Sequence, residues 1–234
     1  MNQTNQSIID EWSKFSEEDL LKFGDEGDNA RKTLIDPILF KLAGEVNKKS
    51  ILDAGCGNGY LARKLARLGA NVTGLEPALS LFEYCKMREA EERLDIEYLQ
   101  QDISSIDIAN TYDIVFLVNV LMDIPDRLPA LIGCVESLKP GGVIIISLLH
   151  PCFPGFETDW QEQGFVKVSE YFNTMPTKQK YGYIFNWPIS EYINALIQAG
   201  CAIERVEEPI ARDSQLRSAH VPQFLIIKAT KLKI

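Results

Sequence analysis

Hydrophobic and polar positions along the chain alternate between two periods, one typical of buried strands and one typical of helices. Short, almost uninterrupted apolar runs are followed by longer segments whose apolar residues recur at helical spacing, and this order repeats. The predicted strands are 50–54, 71–75, 96–99, 112–118, 143–149, 201–208 and 223–230, and the predicted helices are 60–68, 79–93, 127–138 and 190–200. This alternation predicts an α/β fold with a doubly wound, mostly parallel sheet, closed by a hairpin of the last two strands.

Two segments depart from this alternation. Residues from about 7 to 44 predict a helical lead-in, in which Ser7 and Ser16 act as N-caps and Gly44 ends the last helix. Residues 150–188 keep no helical period and are rich in proline, glycine and aromatic side chains. The ten aromatic residues of this insertion are Phe153, Phe156, Trp160, Phe165, Tyr171, Phe172, Tyr181, Tyr183, Phe185 and Trp187. We expect the insertion to fold over a site rather than to form a solvated linker.

The chain of 234 residues, of which 46% are hydrophobic, predicts a single domain with one large core. Its expected parts are a helical lid at 1–48, a ligand-binding half at 49–149, a substrate-lid insertion at 150–188, and a helix with the closing hairpin at 189–234. No apolar tract is long enough to cross a bilayer, and the first residues lack the pattern of a secretory signal. The five scattered cysteines form no C-x-x-C pair, which fits a reducing compartment, so we expect a cytoplasmic protein without a membrane partner.

Charge narrows the class of partner. The formal net charge is -9, and no run of Lys and Arg forms a basic stripe, so nucleic acid is not an expected partner. The acidic runs at 17–19 and 89–92 are interpreted as solvated helical faces, because their spacing does not match that of metal ligands. We therefore expect no metal cofactor.

The segment 53–59, Asp-Ala-Gly-Cys-Gly-Asn-Gly, lies between the first strand and the first crossover helix. Its glycines permit a tight turn and a close approach of the backbone, and the helix N-terminus offers free N–H groups, so a nucleoside-like ligand is expected. The pyrophosphate fingerprint of dinucleotide enzymes requires a third glycine where Tyr60 stands, which makes the match to NAD binding poor. Asp53 suits a ligand with an ammonium group rather than a diphosphate.

Two further acidic residues follow the next strands. Glu76 ends the second predicted strand, where a ribose-binding carboxylate is expected. Asp102 lies just beyond the third strand, where it is placed to accept a hydrogen bond from an exocyclic amine, and the N–H of Ile103 is placed to meet a ring nitrogen. This pair predicts recognition of adenine.

Four segments carry a family resemblance, and they read ILDAGCGNGYLARKLARLGANVTGLEPA, QQDI, YDIVFLVNVLMDIPD and LKPGGVIIISLLHP. Over roughly the whole sheet domain the chain resembles the class I S-adenosylmethionine-dependent methyltransferase family. The resemblance implies a Rossmann-like, seven-stranded sheet with a reversed last strand. It also implies methyl transfer from S-adenosylmethionine to a nitrogen, oxygen or carbon atom of a small-molecule acceptor, with S-adenosylhomocysteine as the second product.

The resemblance also assigns site residues. It places Asp53, Gly55 and Gly57 near the methionine moiety and Asn119 on the sulfonium side, while Glu76 would bind the ribose. Pro77 departs from the family pattern and rigidifies the turn after the acidic residue. The candidate cofactor-binding residues are Asp53, Ala54, Gly55, Gly57, Glu76, Pro77, Asp102, Ile103, Asn119 and Arg31.

The acceptor side has candidate residues of its own. His150 is the candidate catalytic base, because it stands where the fifth strand ends and opens the insertion; alternatively it holds the following His-Pro-Cys-Phe turn through a backbone hydrogen bond. Arg31 either pairs with the cofactor carboxylate or belongs to a solvated helix face. The candidate acceptor contacts, for which ordinary packing is the alternative, are Phe153, Tyr171, Tyr181, Tyr183 and Trp187.

Three alternatives to a small-molecule methyltransferase remain open. A nicotinamide-dependent oxidoreductase is disfavoured by the glycine spacing. A protein that binds the nucleoside without catalysis, or a partner subunit, requires a test of turnover. A protein or nucleic-acid acceptor fits poorly with the acidic charge and the aromatic insertion. The sequence leaves the oligomeric state open.

Overall fold

The computed structural model describes residues 3–153 and 157–233, and its centre is a seven-stranded sheet. The strands in chain order are β1 Ser50–Ala54, β2 Asn71–Leu75, β3 Glu97–Leu99, β4 Tyr112–Val118, β5 Leu138–Leu149, β6 Thr177–Lys178, β7 Tyr183–Ile184, β8 Cys201–Glu207 and β9 Phe224–Lys231. The sheet order is β3-β2-β1-β4-β5-β9-β8, while β6 and β7 form a separate hairpin. Strands β1 to β5 are parallel, and β9 is antiparallel to both β5 and β8. The predicted doubly wound sheet with a reversed last strand is thus confirmed.

Helices flank the sheet and precede it. They are α1 Asn5–Trp12, α2 Glu17–Phe23, α3 Asp36–Ala43, α4 Tyr60–Arg67, α5 Leu79–Glu92, α6 Arg127–Ser137, α7 Glu157–Gln163 and α8 Ile189–Gln198, with a π-helical turn at Arg31–Ile35. Within the described ranges, no helix combines the length and the apolarity that a membrane span requires.

The lead-in is helical, but one predicted N-cap is wrong. Thr4 caps α1, since its side-chain oxygen accepts from the N–H of Ser7 at 3.2 Å and the Ser7 hydroxyl accepts from the N–H of Thr4 at 3.0 Å. Ser7 is therefore the second half of a capping box inside the helix. Ser16 caps α2 as predicted, and Gly44 ends α3 with a positive φ of 69°.

Each face of the sheet is covered by its own helices. Along β1, Ile51 packs with α3 and α4 on one face, whereas Leu52 packs with α6 and α8 on the other, and both are fully buried. Because strands covered on both faces need apolar residues at every position, the near-continuous apolar runs of the sequence are explained. The order β2-β1-β4 reverses the direction of the crossovers at β1, which leaves a crevice at the carboxyl ends of β1 and β4.

The fifth strand begins earlier than predicted. It pairs from Leu138, opposite Tyr112, and its register shifts before Ile114 meets Val143. Gly141 has a φ of 80° within this stretch. The Pro-Gly-Gly segment at 140–142, which lies between the predicted helix and the predicted strand, is thus an irregularity inside a paired strand, and α6 ends before it at Ser137.

The insertion carries α7 and the β6–β7 hairpin, and Phe156 lies outside the described residues. The hairpin contacts the helical lead-in. The ring of Tyr181 stacks on Phe15 with centroids 3.9 Å apart, and Lys178 forms an ion pair with Glu11. The two segments that depart from the α/β alternation therefore pack against each other.

Candidate active site

A cavity opens at the carboxyl ends of β1, β2 and β4, and α1 covers it. The glycine loop after β1, the end of β2 and the segments after β3 and β4 form its walls. All the predicted cofactor-binding residues except Ala54 line this cavity, namely Asp53, Gly55, Gly57, Glu76, Pro77, Asp102, Ile103, Asn119 and Arg31. Ala54 lies below it, fully buried in the core. The topology thus brings together residues from four strand ends and from the lead-in.

The glycine loop passes very close to the segment that follows β4. Gly55 has a φ of 74°, and a Cβ atom there would stand 2.7 Å from Cγ2 of Val120. No side chain fits at this position without displacing Val120. The backbone of the loop is consequently exposed to the cavity.

Glu76 is held by backbone donors on both carboxylate oxygens. Its Oε2 accepts from the N–H of Gly57 at 2.9 Å, and its Oε1 accepts from the N–H of Ala78 at 2.8 Å. Burial raises the pKa of Glu76 to about 7. Each oxygen retains acceptor capacity, and Glu76 lines the cavity, so the carboxylate can accept from two neighbouring hydroxyl groups.

Asp53 and Arg31 each present a buried polar atom that has no hydrogen-bond partner within the described ranges. These atoms are Oδ2 of Asp53 and Nε of Arg31. Burial raises the pKa of Asp53 to about 7. The Arg31 guanidinium also pairs with Asp28 through Nη1, so it retains further donors. The cavity therefore offers one carboxyl group as an acceptor and one guanidinium as a donor.

Asp102 is oriented by the residues around it. Its Oδ1 accepts from the N–H of Ser104 at 2.9 Å, and its Oδ2 accepts from the Ser104 hydroxyl at 2.7 Å and from the amide group of Asn5 at 3.3 Å. Ile103 lines the cavity beside it and is buried. Asn5 belongs to α1, so the covering helix contacts the predicted adenine site directly.

Asn119 adopts the left-handed conformation, with a φ of 58°, directly after β4. Its side-chain oxygen accepts from the hydroxyl of Ser147 at 3.1 Å, which ties it to β5. The strained backbone and this bond turn Asn119 toward the crevice, where it lines the cavity.

Several lining residues were missed by the sequence prediction. The apolar lining from the lead-in consists of Ile8, Ile9, Trp12 and Phe15, and Asn5 adds a polar group. The spacing of Ile8, Ile9 and Trp12 marks one face of α1, but the sequence does not show what that face covers. Asp123 lines the cavity and was also missed, although it is an acidic residue in the mostly apolar segment that follows β4. Burial raises the pKa of Asp123 well above the usual range of a carboxyl group.

His150 lies outside the cavity lining. Its side chain is only 4% exposed, its Nδ1 accepts from the N–H of Cys152 at 3.0 Å, and its Nε2 lies 3.0 Å from Oε1 of Glu208. The backbone donor at Nδ1 fixes the proton on Nε2, so the neutral ring donates to Glu208. Burial lowers the pKa of His150. This geometry favours the alternative in which His150 holds the turn, and its catalytic role stays a prediction.

The predicted acceptor contacts of the insertion do not appear in the cavity lining of the described chain. Arg217 covers the ring of Phe153 at 3.5 Å, and Arg127 covers the ring of Trp187 at 3.7 Å. Tyr171 accepts from the first backbone N–H of α8, and Tyr183 lies under Lys178. Their contact with an acceptor stays a prediction. Tyr181 also lies outside the lining, but its ring stacks on Phe15, which lines the cavity.

Comparison with known proteins matches residues 52–146 to a methyltransferase domain family. A ubiquinone biosynthesis O-methyltransferase from Salmonella enteritidis is 35% identical over 104 residues, which are 44% of this chain and 43% of that protein. The chain thus spans less than half the length of the curated relatives it matches.

Solved structures match over more of the chain. An S-adenosylmethionine-dependent methyltransferase from Mesorhizobium loti superposes with a TM-score of 0.76 at 25% identity, covering 89% of this chain and all of that one. A Burkholderia thailandensis 1,6-didemethyltoxoflavin-N1-methyltransferase, solved with its acceptor and S-adenosylhomocysteine, shares the fold at a TM-score of 0.61 and 16% identity, covering 84% of this chain and 76% of that one. With the strand order and the lined crevice described above, these matches show that the chain has the fold of class I S-adenosylmethionine-dependent methyltransferases and is similar to a methyltransferase domain family over residues 52–146.

Proposed function

We propose that this protein transfers a methyl group from S-adenosylmethionine to a nitrogen, oxygen or carbon atom of a small, partly apolar molecule. The observation that carries the proposal is the pair of unpartnered buried atoms at Asp53 Oδ2 and Arg31 Nε in one cavity. They complement the ammonium and the carboxylate of the donor's amino-acid moiety. Glu76 would bind the ribose hydroxyls, and Asp102 with Ile103 would bind adenine.

The charge of the cavity favours this donor over a dinucleotide. Its acidic lining residues are Asp53, Glu76, Asp102 and Asp123, and its basic lining residue is Arg31. A diphosphate would face four carboxyl groups and one guanidinium and would oppose ionisation of the carboxyl groups, whereas a sulfonium would favour their ionised forms and be attracted to them. The nicotinamide alternative is therefore disfavoured by charge as well as by the glycine spacing.

The bound sulfonium supplies a methyl group that is already activated, so the residues of the chain mainly orient the acceptor and exclude water. The helix α1 covers the cavity with Ile8, Ile9 and Trp12, which shield it from solvent. Asn119, held by Ser147, lies at the end of β4 and orients the donor from below.

The acceptor would meet an apolar surface with one acidic group. Trp12 and Phe15 offer aromatic contacts, and Asp123 is the lining carboxyl group that the donor leaves unused. In its ionised form, Asp123 can take a proton from a hydroxyl or hold an amine in place. We propose a cytoplasmic location for this activity, in keeping with the five free thiols.

Calorimetry with S-adenosylhomocysteine and NAD, followed by transfer of labelled methyl groups in a cell extract, tests the proposal. We expect the protein to bind S-adenosylhomocysteine and not NAD, and we expect the labelled methyl groups to appear in the small-molecule fraction of the extract. Label in protein or nucleic acid would contradict the proposed acceptor class. Binding without transfer to any fraction would indicate a non-catalytic protein.

A further inference from the structure

A polar cluster links the covering helix to the predicted adenine site. The amide nitrogen of Asn5 lies 2.8 Å from the Ser104 hydroxyl and 3.3 Å from Oδ2 of Asp102. The Ser104 hydroxyl in turn donates to Asp102 at 2.7 Å. An ionised carboxylate only accepts hydrogen bonds, so the nitrogen of the Asn5 amide must face Asp102. The orientation of this amide is thereby fixed.

The carbonyl oxygen of the same amide is left over. Oδ1 of Asn5 is buried and has no hydrogen-bond partner in the part of the chain that the structure describes, and Asn5 lines the cavity. A buried acceptor without a donor is unfavourable, and a ligand that brings an N–H group removes this cost. Asn5 and Asp102 thus present two acceptors at one edge of the cavity.

We propose that Asn5 is a cofactor-specificity residue whose carbonyl oxygen accepts the second N–H of the adenine exocyclic amine. This inference rests on the proposed function. An exocyclic amine carries two N–H donors, so one satisfies Asp102 and the other satisfies Asn5. Since Asn5 is the first residue of α1, the covering helix becomes part of the adenine site, and closing of the helix is coupled to the identity of the base.

The two acceptors would reject a base that lacks the amine. Hypoxanthine carries a carbonyl oxygen in place of the amine, so in S-inosylhomocysteine an acceptor would face Asn5 and Asp102. A site built to accept a hydrogen bond discriminates strongly against an analogue that cannot donate one. We therefore expect wild-type protein to bind S-adenosylhomocysteine about a hundredfold or more tighter than S-inosylhomocysteine.

The test measures both ligands by calorimetry with wild type, Asn5→Ala and the control Gln6→Ala. Gln6 is exposed on the same helix, and its side-chain amide donates to Asp10 at 2.8 Å. We expect Asn5→Ala to weaken S-adenosylhomocysteine about tenfold and to leave S-inosylhomocysteine unchanged or tighter, so that the discrimination falls about tenfold. Gln6→Ala should keep both affinities and the discrimination.

Equal weakening of both ligands by Asn5→Ala would overturn the proposal, because Asn5 would then only hold α1 in place. Unchanged binding of both would overturn it as well. Should Asn5→Ala fail to fold, the analogue with one methyl group on the exocyclic nitrogen decides the question on wild type, since it retains a single N–H. If wild type binds this analogue as tightly as S-adenosylhomocysteine, the role proposed for Asn5 is overturned, while the proposed function stands. Wild type that binds no adenosyl ligand would overturn the proposed function together with it.

Discussion

The backbone N–H of Gly57 donates to Oε2 of Glu76 at 2.9 Å, across 19 positions of sequence. The other oxygen of Glu76 accepts from Ala78, at the start of the segment that leads into α5. A single carboxylate thus fixes the glycine loop and the turn after β2 relative to each other. The same group lines the cavity, so under the proposed function both ribose binding and the shape of the loop would depend on Glu76.

Glu76→Gln should weaken S-adenosylhomocysteine by tenfold or more and lower the melting temperature. The amide NH2 would face the N–H of either Gly57 or Ala78, which leaves two donors opposed in a buried site. Calorimetry and thermal unfolding measure the two effects. Glu83→Gln on the exposed side of α5 is the matched control and should change neither value. Unchanged affinity in Glu76→Gln would contradict the role of Glu76.

Ligand affinity should depend on pH through the two buried carboxyl groups. Burial raises the pKa of both Asp53 and Glu76 to about 7, so below that pH they are largely protonated in the free protein. Binding of an ammonium and of ribose hydroxyls favours the ionised forms. For one required deprotonation, affinity for S-adenosylhomocysteine should be about tenfold weaker at pH 6 than at pH 8, with a plateau above pH 8.

The raised pKa values affect the stability of the free protein in the opposite direction: ligand affinity rises with pH, whereas the contribution of these groups to stability falls with pH. A carboxyl group with a folded pKa above its unfolded value contributes stability below the unfolded pKa, near 4, and this contribution is lost as the pH rises through about 7. The rise in melting temperature caused by S-adenosylhomocysteine should therefore be larger at pH 8 than at pH 6. In Asp53→Asn the dependence of affinity on pH should be shallower. An affinity that is flat from pH 6 to 8 would contradict the assignment.

The sheet was predictable because burial on both faces imposes a continuous apolar pattern on each central strand. Ile144, Ile145 and Ile146 of β5 are all fully buried, and such a run has no other common explanation in a chain of alternating elements. The crevice residues Asp53, Glu76 and Asp102 were predictable for a related reason. Asp53 is the second-last residue of β1, Glu76 directly follows β2, and Asp102 lies three residues after β3. The carboxyl ends of parallel strands meet at one edge of the sheet, so these residues come together there.

A helical lid at 1–48 was expected from the sequence, but the residues with which it covers the site were not predictable by the same reasoning. The periodicity of α1 identifies an apolar face with Ile8 and Trp12, but nothing in that segment encodes the surface on which the face packs. The position of His150 at a strand end was found correctly. The direction of its ring depends on Glu208, which lies 58 residues away, and sequence proximity does not reveal that pair.

His150→Ala should lower the melting temperature and leave the affinity for S-adenosylhomocysteine unchanged. The substitution removes an acceptor for the N–H of Cys152 and a partner of Glu208. His150→Asn is the informative companion, because an asparagine oxygen can accept from the N–H two residues ahead but cannot serve as a base. We expect His150→Asn to recover most of the lost stability and to retain methyl transfer.

The comparison of these two variants separates the two interpretations of His150. If the ring acts as a base, both variants lose transfer, including the one in which the turn is restored. If the ring only holds the turn, methyl transfer falls with stability in His150→Ala, and both are largely restored in His150→Asn. Transfer of labelled methyl groups together with thermal unfolding on the same samples provides the measurement.

Asp123→Asn should stabilise the free protein at pH 8 and not at pH 4. Burial raises the pKa of Asp123, so its contribution to stability is present below the unfolded pKa, near 4, and is lost as the pH rises through the folded pKa. The neutral amide avoids that loss, and a gain in melting temperature of about 2–4 °C at pH 8 is expected. The exposed Asp126→Asn should give no gain. If Asp123→Asn gains stability and loses methyl transfer, Asp123 is a group retained for function at a cost in stability. Lower stability of the variant at pH 8 would contradict the conclusion that an ionised Asp123 destabilises the folded protein.

Tyr181→Ala should weaken S-adenosylhomocysteine although Tyr181 lies outside the cavity lining. Its ring stacks on Phe15, which lines the cavity, and its hydroxyl donates to Asp19 of α2. Loss of an aromatic pair corresponds to about a threefold to tenfold change when the pair holds a closed state. Calorimetry measures the affinity, and hydrogen exchange of the α1 amides should become faster because the helix opens more often.

Two variants divide this effect into its parts. Tyr181→Phe keeps the stacked ring and removes the bond to Asp19, so most of the affinity should be retained. Phe172→Ala, at a side chain that is 80% exposed in the same insertion, should leave both affinity and exchange unchanged. If Tyr181→Ala accelerates hydrogen exchange in α1 without lowering the affinity for S-adenosylhomocysteine, then opening of α1 does not destabilise the bound state. In that case the covering helix would shield the acceptor and contribute nothing to holding the donor.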